Sequence, residues 1–413
     1  MSPQVNRRQL LLGGAGLGAL AGVAAGGFGL GRSQAQAEDV FMGAVDFRGE
    51  HQSGIVTPAQ QQMIMVAFDM VADRRADLID LLEKWTLAAE RMQAGELVND
   101  PKARDDVPPD DTGEAMDLAP AALTITFGFG ATLFNHPEKG DRYGIADKCP
   151  EILAAGIPRM AAEKIDPAKS HGDLVVQICA EDPMVVLHAM HQFKRIAFGT
   201  ASVRWMQLGY GRTSSTSKDQ QTPRNLFGFK DGTGSLKGED PAELLDGHVW
   251  IQPGDDQGDW AAGGSYLCFR KIHMMMEVWD ELVLNEQETI IGRNKIEGAP
   301  LSGGEEFTHP DFSTEDIAED SHLAVVHPDN NGGAHMLRRG YNYTEGLTDL
   351  GRLDAGLFFI AFVRDPQVNF INILSKMAGD QLTEYLQHTA TGMFICPPGI
   401  REGDTFVGQT LLG

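Results

Sequence analysis

The chain has 413 residues, enough for two domains with sizeable cores, and its 42% hydrophobic and 22% charged fractions are ordinary for a soluble protein. Lys and Arg number 34 against 58 Asp and Glu, a net charge of −24 that argues against nucleic acid or anionic lipid as partner.

In chain order, Asn6-Arg7-Arg8-Gln9-Leu10-Leu11 is a twin-arginine export pattern. A Gly/Ala-rich apolar run from Leu10 to Leu30 follows, and Ala35-Gln36-Ala37 offers a small-residue cleavage site. Residues 1–37 read as a signal peptide for the twin-arginine export machinery, with a membrane anchor as the alternative. The mature chain would then be periplasmic or extracellular. Loss of Arg7, Arg8 and Arg32, with no acidic residue, would take the charge to about −27. Twin-arginine export moves folded proteins, often ones already loaded with a cofactor, so the signal raises the expectation of a bound redox group.

Residues 38–57 read as an extended lead-in. Thr57 and Pro58 make an N-cap and first-turn pair, predicting one amphipathic helix from Pro58 through about Gln93. Residues 98–120, rich in Asp and Pro, read as a long loop. Alternation with β-branched and aromatic residues predicts strands over 122–134 and 172–183, with a helix over 184–198. The run YLCFRKIHMMMEVW reads as another strand, its methionines 274–276 packing in a core rather than binding copper. Residues 356–366 repeat the pattern of an apolar strand closed by Asp-Pro, and 367–386 again read as a helix. With no Gly-rich dinucleotide or phosphate loop after any strand, two α+β halves with antiparallel sheets fit better than a doubly wound fold. The polar stretch 211–225 marks their boundary, giving domains over 38–220 and 221–413.

The four cysteines, Cys149, Cys179, Cys268 and Cys396, form no C-x-x-C or C-x-x-C-H. That spacing excludes covalent c-type haem and the usual cysteine zinc sites, and predicts mostly buried free thiols. Among the histidines, His51, His136, His171, His248, His273, His335 and His388 lack a partner at ligand spacing and read as surface or structural. His188 and His191 are three apart on a helix and could share a metal, but packing or surface roles fit better. Glu306 and His309 form an E-x-x-H, which Pro310 removes from helical geometry. In NLFGFKDGTGS (225–235), Lys230 and Asp231 sit in an apolar, glycine-punctuated turn. That turn is either a solvated Lys-Asp-Gly tip or a close backbone approach to a large ligand with Asp231 aimed at it. His322 opens the apolar run HLAVV, His327 follows five residues later, and Arg338-Arg339 lie beyond a glycine-rich loop. A haem needs one imidazole on the iron. For peroxide chemistry it also needs a proton-moving group and a cation. His322, Asp231 and Arg338 are the right types.

On these motifs the chain resembles the dye-decolorizing peroxidases, in particular the twin-arginine-exported, deferrochelatase-like branch. GEHQSGIVTPAQ, GDLVVQICAEDP, RNLFGFKDGT, VWDELVLNEQETIIGRNKIEGAPL, DSHL, LRRGYNY and QLTEYLQHTATGMFICPPG carry the likeness over nearly all of the mature chain. The resemblance implies an α+β fold of two ferredoxin-like halves with antiparallel sheets, and one non-covalent haem b in the C-terminal half. It implies a haem peroxidase that uses hydrogen peroxide to oxidise bulky organic reductants such as dyes and phenols by one-electron steps. A haem-handling protein that releases iron from haem for uptake is the alternative, and a homo-oligomer is compatible with either.

By resemblance, His322 is the metal ligand, Asp231 the distal acid/base and Arg338 the distal arginine, itself also a cofactor contact. Glu384 would bond the other nitrogen of His322 and make the imidazole more electron-donating. Gly232, Thr233 and Gly234 would touch the haem, with Leu357 and Phe359 as its apolar distal wall. The branch usually has arginines where this chain has Ala324 and Asp329, so propionate anchoring differs here, and His327 is a second ligand candidate. An aspartate base, with an ordinary pKa near ~3.9, predicts activity rising toward acid pH. Bulky reductants would be oxidised through a surface Trp or Tyr; Trp85, Trp205, Trp250, Trp260 and Trp279 are the tryptophan candidates, each also readable as structural. The acidic chain favours cationic or neutral reductants.

Overall fold

The computed structural model describes residues 40–99, 105–160 and 163–413. The signal-peptide reading of residues 1–37 and part of the 98–120 loop lie outside the described residues. Residues from Val40 to Gly413 form one compact unit.

The N-terminal half runs β1 (Gln62–Met70), α1 (Arg75–Gln93), β2 (Thr124–Gly130), β3 (Leu174–Ala180), α2 (Pro183–Ile196) and β4 (Ala201–Arg212). Its strands lie in the order β2-β3-β1-β4, all antiparallel, which is the ferredoxin-like arrangement. The C-terminal half repeats it with β5 (Ser265–Met274), β7 (Tyr341–Leu347), β8 (Leu353–Val363) and β9 (Leu386–Cys396), ordered β9-β5-β8-β7. The two-residue β6 (Leu337–Arg338) adds to β8. The two sheets are continuous: β2 pairs with β9 and β4 with β7, so the ladders close into a ring. Inside lie Met63, Met65, Trp205, Phe269, Phe358, Ile360 and Phe394, and the helices cover the outer face.

The helix expected over 58–93 is corrected to a strand followed by a helix. β1 is apolar on both faces: Met63, Met65 and Ala67 point into the ring, while Ile64, Val66 and Phe68 meet the helical layer. A strand buried on both faces loses its alternation and reads like a buried helix. Thr57 caps no helix; its hydroxyl accepts from Gly54 N–H at 3.0 Å and its carbonyl from the Thr216 hydroxyl at 2.7 Å. α1 itself shows the expected stripe, burying Leu78, Leu81, Leu82, Trp85, Ala89 and Met92.

α2 begins as the sequence dictates, with Pro183 in its first turn and the Asp182 carboxylate accepting from Met184 N–H at 2.7 Å. The strand expected through Trp279 ends at Met274, and Met276–Trp279 form one helical turn. The single helix expected over 367–386 is instead a π-helical turn (Gln367–Ile371), a short α-helix (Asn372–Lys376) and two 3₁₀ turns, broken at Asp380. Among the described residues the four cysteines are free thiols, three of them buried, and no helix is long and apolar enough to cross a membrane.

Candidate functional site

The site lies on the outer face of the C-terminal sheet. Alternation along β8 turns Phe358, Ile360 and Phe362 into the ring and leaves Leu357 and Phe359, both half-buried, on the other side. β6 pairs Arg338 with Ala361, so the Arg338 guanidinium sits diagonally beside Phe359, 6.0 Å from its ring centre. The neighbouring Arg339 points the opposite way, is fully buried, and is bound by Gln60 and Thr57.

The turn of residues 225–235 is fixed from several sides. Phe227 stacks on Trp279 at 4.4 Å between ring centres, and Phe229 meets the same ring edge-on. Gly228 and Gly232 take φ of +81° and +84°, and a Cβ on Gly232 would come within 2.9 Å of the Ser214 backbone. Asp231 N–H donates to Pro223 carbonyl at 2.9 Å. Its carboxylate accepts from Asn225 Nδ2 at 3.2 Å and from the Arg338 guanidinium at 2.7 Å. Arg338 is held in turn by its own N–H donating to Ser235 Oγ at 3.0 Å. Lys230 does not point with Asp231; it pairs with Glu306, which also accepts from the Thr233 hydroxyl at 3.2 Å. Lys237 donates to Ser215 Oγ at 2.7 Å; burial, aided by nearby Arg338, pulls its pKa down to about 8.

His322 is the first residue of a one-turn helix, α3 (His322–Val326), capped by Ser321 Oγ accepting from Ala324 N–H. Its Nδ1 lies 2.6 Å from Asp380 Oδ2. Asp380 is fully buried, and its other oxygen accepts from Leu382 N–H at 2.8 Å. This corrects the expectation for Glu384, whose side chain is exposed: the carboxylate on the imidazole is Asp380. Burial opposes a charged His322 ring, but the Asp380 carboxylate outweighs it and raises the pKa. Asp231 and Arg338 act on the same imidazole with opposite signs, which places all three in one electrostatic neighbourhood.

With Nδ1 engaged by Asp380, Nε2 is the nitrogen that the His322 ring has left to offer a ligand. On the outer face of β8, Phe359 stands beside Arg338 and Leu357 lies on the same side, and at Gly234 an added Cβ would meet nothing within 4 Å. One imidazole, an apolar wall and an open glycine approach fit a large flat group such as haem. His327 is engaged elsewhere, facing Asp329 at 3.6 Å. His188 and His191 share nothing: His188 meets Asp111 at 3.0 Å and His191 meets Glu114 at 2.7 Å. Of the tryptophans, four are buried and only Trp260 is half-exposed. Trp205 borders a separate cavity of about 280 Å³ whose cations are already paired, Lys169 and Lys271 with Glu345 and Arg204 with Asp69.

Sequence reasoning missed Asp380, Asn225, Ser235 and Lys237. Asn225 and Ser235 bracket the glycine turn, and that bracketing was the signal available for them.

The family comparisons agree along the chain. The N-terminal model of Dyp-type peroxidase matches residues 52–211 and the C-terminal model matches 222–401. Deferrochelatase of Escherichia coli K12 is 36% identical over 375 residues, 89% of this chain and 86% of that protein. Ferric DtpA from Streptomyces lividans is 37% identical, with a TM-score of 0.80 over 89% of this chain and 97% of that one. The DyP-type peroxidase from Cellulomonas bogoriensis is 33% identical, with a TM-score of 0.77 over 89% and 98%. With both family models matched in order over most of its length, this chain belongs to the Dyp-type peroxidase family.

Proposed function

We propose that His322 would hold the iron of one non-covalently bound haem b in this peroxidase, with Asp231 and Arg338 serving the peroxide. The observation that carries the assignment is the 2.6 Å contact of His322 Nδ1 with buried Asp380. That contact fixes the ring and makes its free nitrogen a stronger donor. A haem held there would supply the two-electron chemistry with peroxide and the one-electron oxidation of an organic reductant. Asp231, steered by Asn225 and Arg338, takes a proton from one peroxide oxygen and returns it to the other. Arg338 stabilises the negative charge that develops as the oxygen–oxygen bond breaks. Gly232, Thr233 and Gly234 form the backbone approach, and Leu357 and Phe359 keep water from the reacting side.

The test is an absorption spectrum of the purified protein before and after stoichiometric peroxide, for wild type and His322→Ala. A Soret band that shifts with peroxide, and is lost or altered in the variant, supports the assignment. A Soret band indifferent to peroxide favours the haem-handling reading, and an unchanged band in His322→Ala removes His322 as ligand.

We also propose that residues 1–37 direct twin-arginine export to the periplasm or medium, on the strength of Arg7-Arg8 and Ala35-Gln36-Ala37. Sequencing the mature protein should find Glu38 first; an intact Met1 on exported protein would overturn cleavage. The junction between the halves we place at 220/221, within the stretch that separates the two family matches.

A further inference from the structure

We propose that His309, His327 and Asp329 form a surface site for a divalent transition-metal ion. One donor atom from each residue lies within 4.8 Å of the other two. The Asp329 carboxylate stands between the imidazoles, with Oδ2 at 3.0 Å from His309 Nε2 and Oδ1 at 3.6 Å from His327 Nδ1. The two rings are 5.3 Å apart and nearly perpendicular, so neither blocks the other's approach to a shared point. Bonds of ~2.1 Å to a metal place donors roughly 3 Å apart, so closing the set needs only a small movement. His309, 69% exposed, is free to make it.

The other side of the site is already in place. His327 and His309 each precede a proline, which limits their backbone to extended conformations. The His327 carbonyl accepts from Asn331 Nδ2 at 2.8 Å, and its ring packs edge-on against Phe312 at 5.0 Å. Binding then requires little beyond exchanging the 3.3 Å hydrogen bond that His327 Nδ1 accepts from Asp329 N–H for a bond to the metal. Two imidazoles and one carboxylate suit Zn²⁺ or Cu²⁺ rather than Mg²⁺ or Ca²⁺, with copper the tighter. Arg293 and His335 put positive potential on His327. The Arg293 guanidinium, however, is occupied by the Gly298 and Glu306 carbonyls, and the chain as a whole is strongly acidic. Three protein donors leave coordination positions open to water, so the ion would exchange.

The experiment uses the full haem-loaded protein, stripped with a chelator and titrated calorimetrically with Zn²⁺, with Cu²⁺ followed by electron paramagnetic resonance. One equivalent should bind, with nitrogen hyperfine structure in the copper spectrum. His309→Ala and Asp329→Asn should each weaken it at least about ten-fold. His309 lies on an exposed loop, so its variant tests binding without threatening the fold. Absence of saturable uptake, or uptake equal in wild type and both variants, would overturn the proposal.

Discussion

Asp380 controls what His322 can do. A buried carboxylate on Nδ1 gives the imidazole partial anionic character and would lower the reduction potential of an iron held by the ring. Asp380→Asn keeps the shape and removes the charge. The reduction potential of the bound iron should rise, and the reaction with peroxide should slow by about 10- to 100-fold, read by spectroelectrochemistry and stopped-flow. Glu384→Gln, at an exposed side chain, should change neither. The sequence could not decide between these two carboxylates. Over a continuous helix from 367 to 386, residues 380 and 384 lie on one face. The break at Asp380 separates them, turning one into the core and the other to solvent. His322, Asp231 and Arg338, which the fold brings together, could be singled out by residue type and short motifs, whereas Asp380 depends on where a helix stops.

At the scale of elements, the acidic loop before β2 is docked onto α2 through Asp111–His188 and Glu114–His191. Burial works against the charge of Glu114, but hydrogen bonds from Thr112 and His191 outweigh it and hold the pKa at about 2. A carboxylate depressed in the folded state contributes stability above its unfolded pKa and loses it as pH falls toward the folded value. Glu114→Gln should therefore melt below wild type at pH 6, and the two should converge toward pH 2, as thermal unfolding across that range will show. The pairing was hidden because the loop carboxylates are more than seventy residues from their histidines. Elements exposed on one face, such as α1 and α2, declared themselves by periodicity. β1 did not, since the ring interior and the helical layer both demand apolar residues from it.

For the molecule as a whole, His388 sets part of the acid limit. It is buried in β9, and burial, reinforced by Arg270, lowers its pKa to about 4. The unfolded chain takes up this proton near pH 6.5 while the folded one refuses it until about 4, so stability falls across that window and levels off below it. The loss is on the order of 3 kcal/mol at most. His388→Gln should show a shallower decline in melting temperature from pH 7 to pH 4; an equal slope would exclude His388 as the source. A peroxidase whose proposed base favours acid thus carries a group that opposes acid. The closed ring also has uneven strength. β1 and β3 are matched along their length, but β2 meets β9 only at Phe129–Ile395 and Gly130–Phe394, and β4 meets β7 only at Tyr210–Asn342 and Arg212–Tyr341. Under mild denaturant the molecule should part along these two narrow hinges before either half melts, opening like a clasp. Hydrogen exchange should find the amides there quickest among the strands, and the exposed borders would invite a second copy to trade halves.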